Sequence, residues 1–150
     1  MKTIWTLIFA LGFGASLHAQ KMDSKDVPTP VHAAFQKTFT SKDVDWDKDD
    51  KNYEANFKQN GKEMSVVFDA AGNTLETEVE ISKAELPTAV LDVLKKDYAG
   101  YKIEEAAKIT ATGVVTYETE IEKGEQSFEL IFDGQGKILK KEEEKEDGKD

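Results

Sequence analysis

The chain contains no cysteine and no arginine: all twenty of its basic residues are lysines. The first absence removes disulfides, thiolate metal ligands and cysteine nucleophiles. The second removes the rigid fork that grips phosphates and carboxylates at two points. Histidine is scarce as well. His18 lies in the apolar N-terminal stretch, which leaves His32, off the apolar stripe of its segment, as a surface histidine. No serine sits in a Gly-x-Ser-x-Gly elbow, and neither a phosphate loop nor a dinucleotide fingerprint occurs. Basic surface is short too, with a formal charge of −10. Nucleic acid is therefore not an expected partner, because binding it requires a basic face. A basic or neutral protein or peptide fits better, and solubility is the plain explanation of the charge.

What is present begins with Met1-Lys2, an apolar run from Ile4 to Leu17, and small residues before Ala19-Gln20. This is the three-part pattern of a secretory signal peptide over residues 1–19. The run is shorter than the roughly 20 apolar residues needed to span a bilayer. Export to the periplasm or beyond is expected, with no stable membrane insertion after cleavage. Without disulfides, the exported part must rely on an ordinary hydrophobic core.

The remainder repeats itself. VPTPVHAAFQKTF (27–39) aligns with LPTAVLDVLKKDY (86–98), pairing Val31 with Val90, Phe35 with Leu94 and Phe39 with Tyr98. YEANF (53–57) aligns with YETEI (117–121), and MSVVFDAAGNTL (64–75) with FELIFDGQGKIL (128–139). Val31, Ala34, Phe35 and Phe39 recur at helical spacing, as do Val90, Val93, Leu94 and Tyr98. Pro28 and Pro87 suit first turns, Gly100 suits a helix stop, and Ser82–Glu85 resembles a capping box in a linking segment.

Alternation marks strands over Tyr53–Phe57, Met64–Phe68, Leu75–Ile81, Val115–Ile121 and Phe128–Phe132. Asp69-Ala-Ala-Gly72 and Asp133-Gly-Gln-Gly136 are turns in which Asp bonds local backbone and Gly supplies positive φ. The expected fold class is α+β: a tandem repeat of helix plus antiparallel β-meander, helices packed on one face of a curved sheet. The expected units are 26–82 and 83–144. The charge run from Lys140 onward is expected to be solvated, and 145–150 forms a charged tail.

In DVDWDKDDKNYE, Asp43, Asp45, Asp47, Asp49 and Glu54 occupy positions 1, 3, 5, 7 and 12 of a calcium loop. Lys48 stands where such a loop needs glycine, and Asp50 where it needs an apolar residue. Strand alternation follows directly, so 43–54 reads as a hairpin, and no cofactor or metal is expected. Trp46, spaced from Val44, reads as core.

These segments, in this order and twice over, resemble the PepSY-like family, related in fold to the β-lactamase inhibitor protein. VDW (44–46) and FDAAGNTLETE (68–78) add to the likeness, which covers about residues 26–144. The resemblance implies an exported, non-enzymatic protein in which two helix-plus-meander units form one curved surface. Inhibitor relatives clasp an enzyme loop with the concave face. Their contact residues have no clear match here, and their cysteines are absent.

The expected function is a non-enzymatic protein- or peptide-binding module, with inhibition of an envelope enzyme as one form. The expected partner-binding surface is the sheet face bearing Glu54, Glu76, Glu78, Glu118 and Glu120 as solvated rows around Val67 and Ile131, which would form a small sticky patch there. No catalytic residue is assigned. One alternative is a calcium-responsive envelope protein using 43–54. Another is a carboxylate-dependent hydrolase built on an acid pair.

Overall fold

The computed structural model describes residues 20–144. The signal-peptide reading of 1–19 and the tail reading of 145–150 fall outside the described residues. Among the described residues, nine strands form a single sheet whose spatial order follows their order along the chain. They are β1 (Gln20–Met22), β2 (Val44–Asp49), β3 (Asn52–Gln59), β4 (Lys62–Phe68), β5 (Thr74–Glu80), β6 (Lys102–Ala111), β7 (Val114–Lys123), β8 (Gln126–Asp133) and β9 (Ile138–Glu144). Every neighbouring pair is antiparallel. Two ten-residue helices interrupt the meander, α1 (Thr29–Thr38) and α2 (Thr88–Asp97).

This corrects the expected tandem repeat of helix plus meander on a curved sheet. The protein is mostly one antiparallel sheet with two short helices. The physical reason lies at β5 and β6. Glu76, Glu78 and Glu80 pair in register with Ala111, Ile109 and Ala107, so hydrogen bonding runs unbroken from β5 to β6. Three strands, β1, β6 and β9, escaped the alternation rule. β1 is three residues long, and β6 carries a register shift between Ile103 and Glu105. Lys140–Glu144, read as solvated tail, is instead part of β9, an edge strand whose charge suits that position.

Both helices start behind proline. Pro28 and Pro87 hold extended backbone, with ψ of 141° and 142°, as the residues before the first turns. Pro30 stands in the first turn of α1, where a missing N–H costs nothing. The Ser82–Glu85 capping box is real but closes a short 3-10 turn at Lys83–Glu85. Glu85 accepts from the Ser82 backbone N–H at 2.8 Å and from its hydroxyl at 2.9 Å. These bonds, with Lys62, hold its carboxyl down at about 2.

Apolar side chains collect in two clusters. Val31 and Phe35 of α1 join Val27, Trp46, Ala55, Phe57, Val66 and Phe68. Val90 and Leu94 of α2 join Leu86, Ala106, Ile121, Leu130 and Phe132. Each fully buried Val, Leu or Phe stabilises the fold by about 1.5–3 kcal/mol. Trp46 is core as expected, and its ring meets Phe35 edge-on at 5.5 Å. His32 is half-buried rather than merely on the surface. Its ring packs edge-on against Trp46, and Nε2 lies 2.6 Å from the Ser24 carbonyl oxygen.

Candidate functional site: an acidic sheet face

Residues paired across a sheet point to the same side, so register shows which side chains meet. One row runs Glu54–Val67–Glu76 over β3, β4 and β5. The next runs Asn56–Ser65–Glu78–Ile109–Thr116 from β3 to β7. A third runs Glu80–Ala107–Glu118–Ile131–Lys140 from β5 to β9. A fourth runs Glu105–Glu120–Glu129–Glu142 from β6 to β9. The two apolar clusters use the alternate residues, so this is the other face of the sheet. All seven residues singled out from the sequence, Glu54, Val67, Glu76, Glu78, Glu118, Glu120 and Ile131, stand on it.

Their burial differs from the expected solvated rows. Glu54 is 3% exposed and Glu129 5%, with Val67 and Ile131 equally enclosed at 6% and 3%. Val67 and Ile131 therefore form no exposed sticky patch; they are packing residues among acids. Glu76, Glu78, Glu118 and Glu120 are half-buried. Sequence reasoning did not single out Ser65, Ile109, Glu129 or Lys140. The alternation of β4 and β8 already put Ser65 and Glu129 on this face. Lys140 required the fold of β9.

The electrostatics follow from crowding. Ser65 Oγ donates to Glu54 Oε1 at 2.6 Å. Lys140 Nζ lies 2.9 Å from Glu142 Oε1 and 3.6 Å from Glu129 Oε1. Burial, followed by repulsion from Glu76 and Glu54, pushes the Glu78 carboxyl up to about 7. Burial, followed by Glu78 and Glu129, pushes Glu118 up to about 9, with Lys140 pulling the other way. Burial alone raises Glu76. Near neutrality Glu118 is thus a protonated carboxyl able to donate a hydrogen bond. Such a face can bind a cationic group, which relieves the repulsion that adds to burial in holding the protons on.

The segment 43–54 is a hairpin, with Asp45 opposite Asn56 and Asp47 opposite Glu54. Asn56 Nδ2 donates to Asp47 Oδ2 at 3.1 Å, and Asp50 takes the positive φ of 51° at the turn. The ligands of a calcium loop wrap a single centre, whereas these acids alternate along an extended strand. Among the described residues, no group of three or more His, Asp or Glu side chains is placed to hold a metal ion.

The described residues thus form one antiparallel sheet that packs its apolar clusters on one face and gathers its acids on the other. Among the described residues, no helix is long and apolar enough to cross a membrane. The chain belongs to the family described as "Putative beta-lactamase-inhibitor-like, PepSY-like", which matches over residues 15–76 and 51–140.

Solved structures share the fold. A protein of Bacteroides eggerthii described as a "putative periplasmic" protein superimposes with a TM-score of 0.73 at 18% identity, covering 78% of this chain and 88% of its own. A DUF2874 family protein of Bacteroides uniformis gives 0.71 at 22% identity, covering 77% and 88%. A BLIP-like protein of Bacteroides fragilis gives 0.65 at 23% identity, covering 81% and 92%. No curated protein matches the chain.

Proposed function

We propose that the chain is an exported, non-enzymatic protein-binding module, periplasmic or secreted, that takes its partner on the acidic sheet face. The partner is a protein or peptide presenting basic side chains, and an envelope enzyme held inactive is one form of such a pairing. The observation that carries this reading is the convergence of Glu54, Glu76, Glu78, Glu118 and Glu129 on one face, where burial first and mutual repulsion second raise Glu78 and Glu118 above the ordinary carboxylate range. A lysine or arginine brought to this face replaces mutual repulsion with attraction, and long-range attraction speeds encounter. The inhibitor-like family description and the BLIP-like relative agree with a binding role.

The test is affinity capture from envelope extract with the wild-type chain and with Glu76→Lys/Glu120→Lys. Both residues are half-buried, so the change reverses surface charge without opening the core. Lysine at Val67 or Ile131 would instead report on folding, since both are enclosed. A partner retained by wild type and released by the variant, with retention falling as salt rises, is the expected result. Equal retention by both chains contradicts the assignment of this face.

A further inference from the structure

The two apolar clusters are filled differently where their helices end. At the end of α1, Phe35, Phe39 and Phe57 form a packed triad of rings. Phe57 lies 4.9 Å from both Phe35 and Phe39, which are 5.3 Å apart. The aligned residues of the later half are Leu94, Tyr98 and Ile121. Two phenyl rings are thus replaced by smaller aliphatic chains, and the third by a tyrosine. That tyrosine turns toward Tyr101, with ring centroids 5.8 Å apart. An open cavity of about 490 Å³ results, with Leu94, Tyr98 and Ile121 all in its wall. Leu91, Ile103 and Tyr101 complete an apolar lining whose one charged side chain is Lys95.

Lysines gather at the rim. The Lys123 ammonium lies 5.5 Å from the Tyr101 ring centre, and it sits 3.4 Å from where a side chain on Gly100 would begin. Gly100 itself lines the cavity. The Lys141 ammonium lies 5.2 Å from the Tyr98 ring centre and 3.9 Å from that of Phe128. Among the described residues no carboxylate lines the cavity, in a chain whose formal charge is −10. An apolar hollow under three ammonium groups is complementary to an apolar body carrying one negative head.

We propose that this cavity is a binding site for a small anionic amphiphile, of the class of a medium-chain carboxylate, with its chain against Leu94 and Ile121 and its head toward Lys95 and Lys123. The site is separate from the acidic sheet face, because Leu94, Ile121 and Ile103 belong to the cluster on the other side of the sheet.

Titration calorimetry of the purified chain with dodecanoate, below its micelle concentration, tests the proposal. Wild type is expected to bind saturably with one-to-one stoichiometry. Leu94→Phe, which restores the ring found at the corresponding place on α1, is expected to abolish binding while keeping the thermal transition. Lys95→Gln/Lys123→Gln, changing two exposed residues, is expected to weaken binding by about tenfold or more. Absence of saturable binding by wild type overturns the proposal. So does unchanged affinity in either variant.

Discussion

Ser65 and Glu54 meet side chain to side chain across β3 and β4, hydroxyl to carboxyl oxygen at 2.6 Å, and both are almost fully enclosed. The bond is local in space but links residues eleven positions apart in the chain, so it forms only when the β3–β4 hairpin is in register. A buried carboxyl that loses a hydroxyl donor carries its desolvation cost with less compensation. Ser65→Ala is therefore expected to destabilise the fold by about 1–3 kcal/mol. Urea unfolding checks it: a lowered midpoint with an unchanged slope is the expected signature.

How far this face was legible in the sequence follows from that pair. Alternation placed Glu54, Ser65 and Val67 on one side of their strands, because side-chain direction has a period of two whatever the tertiary context. It could not show enclosure, which depends on how neighbouring strands crowd the same face. Val67 and Ile131 therefore looked like an exposed patch and prove to be packed. Larger errors came from pairing at a distance. The match between 27–39 and 86–98 suggested two helix-plus-meander units joined in one curved surface, whereas the chain is mostly one nine-stranded antiparallel sheet with only two short helices. β6 was hidden by its bulge and by Ala106-Ala107, which break the apolar–polar rhythm. Charge in Lys140–Glu143 masked an edge strand, because edges tolerate charge that central strands do not.

Stability should fall as pH rises. Glu78 and Glu118 hold protons up to about 7 and about 9 in the folded chain, against an ordinary value of 4.5. The folded state then binds more protons than the unfolded chain above the ordinary value, and stability decreases as pH climbs through the folded values. The slope is about 1.4 kcal/mol per pH step for each proton so held. Glu118→Gln keeps the shape of the neutral form and removes its titration. It is expected to flatten the decline between about pH 5 and pH 9 and to raise the midpoint of thermal unfolding on the alkaline side. A decline as steep as wild type would mean that Glu118 ionises freely.

Glycine is required at Gly72 and Gly136 for two reasons at once. Both turns close on the first turn of a helix: a Cβ on Gly72 would lie 2.5 Å from the Pro30 carbonyl oxygen, and one on Gly136 2.6 Å from that of Ala89. Both also hold positive φ, 85° and 84°. Gly61, at φ 79° with open space around it, provides the comparison. Gly61→Ala should cost about 1–2 kcal/mol from handedness alone. Gly72→Ala and Gly136→Ala should each cost clearly more, because backbone must also move. Three parallel melting curves settle the order.

Thr119 is fully buried between Ala106 and Leu130, and its hydroxyl has no hydrogen-bond partner among the described residues. The aligned residue in the earlier half is Ala55. Thr119→Val keeps the branched shape and removes the unsatisfied oxygen. A gain of about 1 kcal/mol in unfolding free energy is expected by denaturant titration.

The central claim is that the carboxylate face, and not the apolar-cluster side of the sheet, meets the partner. A photo-crosslinking residue placed at Glu120, on the acidic face, and in a separate chain at Thr110, exposed on the opposite side of the neighbouring strand, reads this directly in envelope extract. The account predicts a discrete adduct from position 120 that salt suppresses, and none from position 110. An adduct from position 110 with none from position 120 would contradict it.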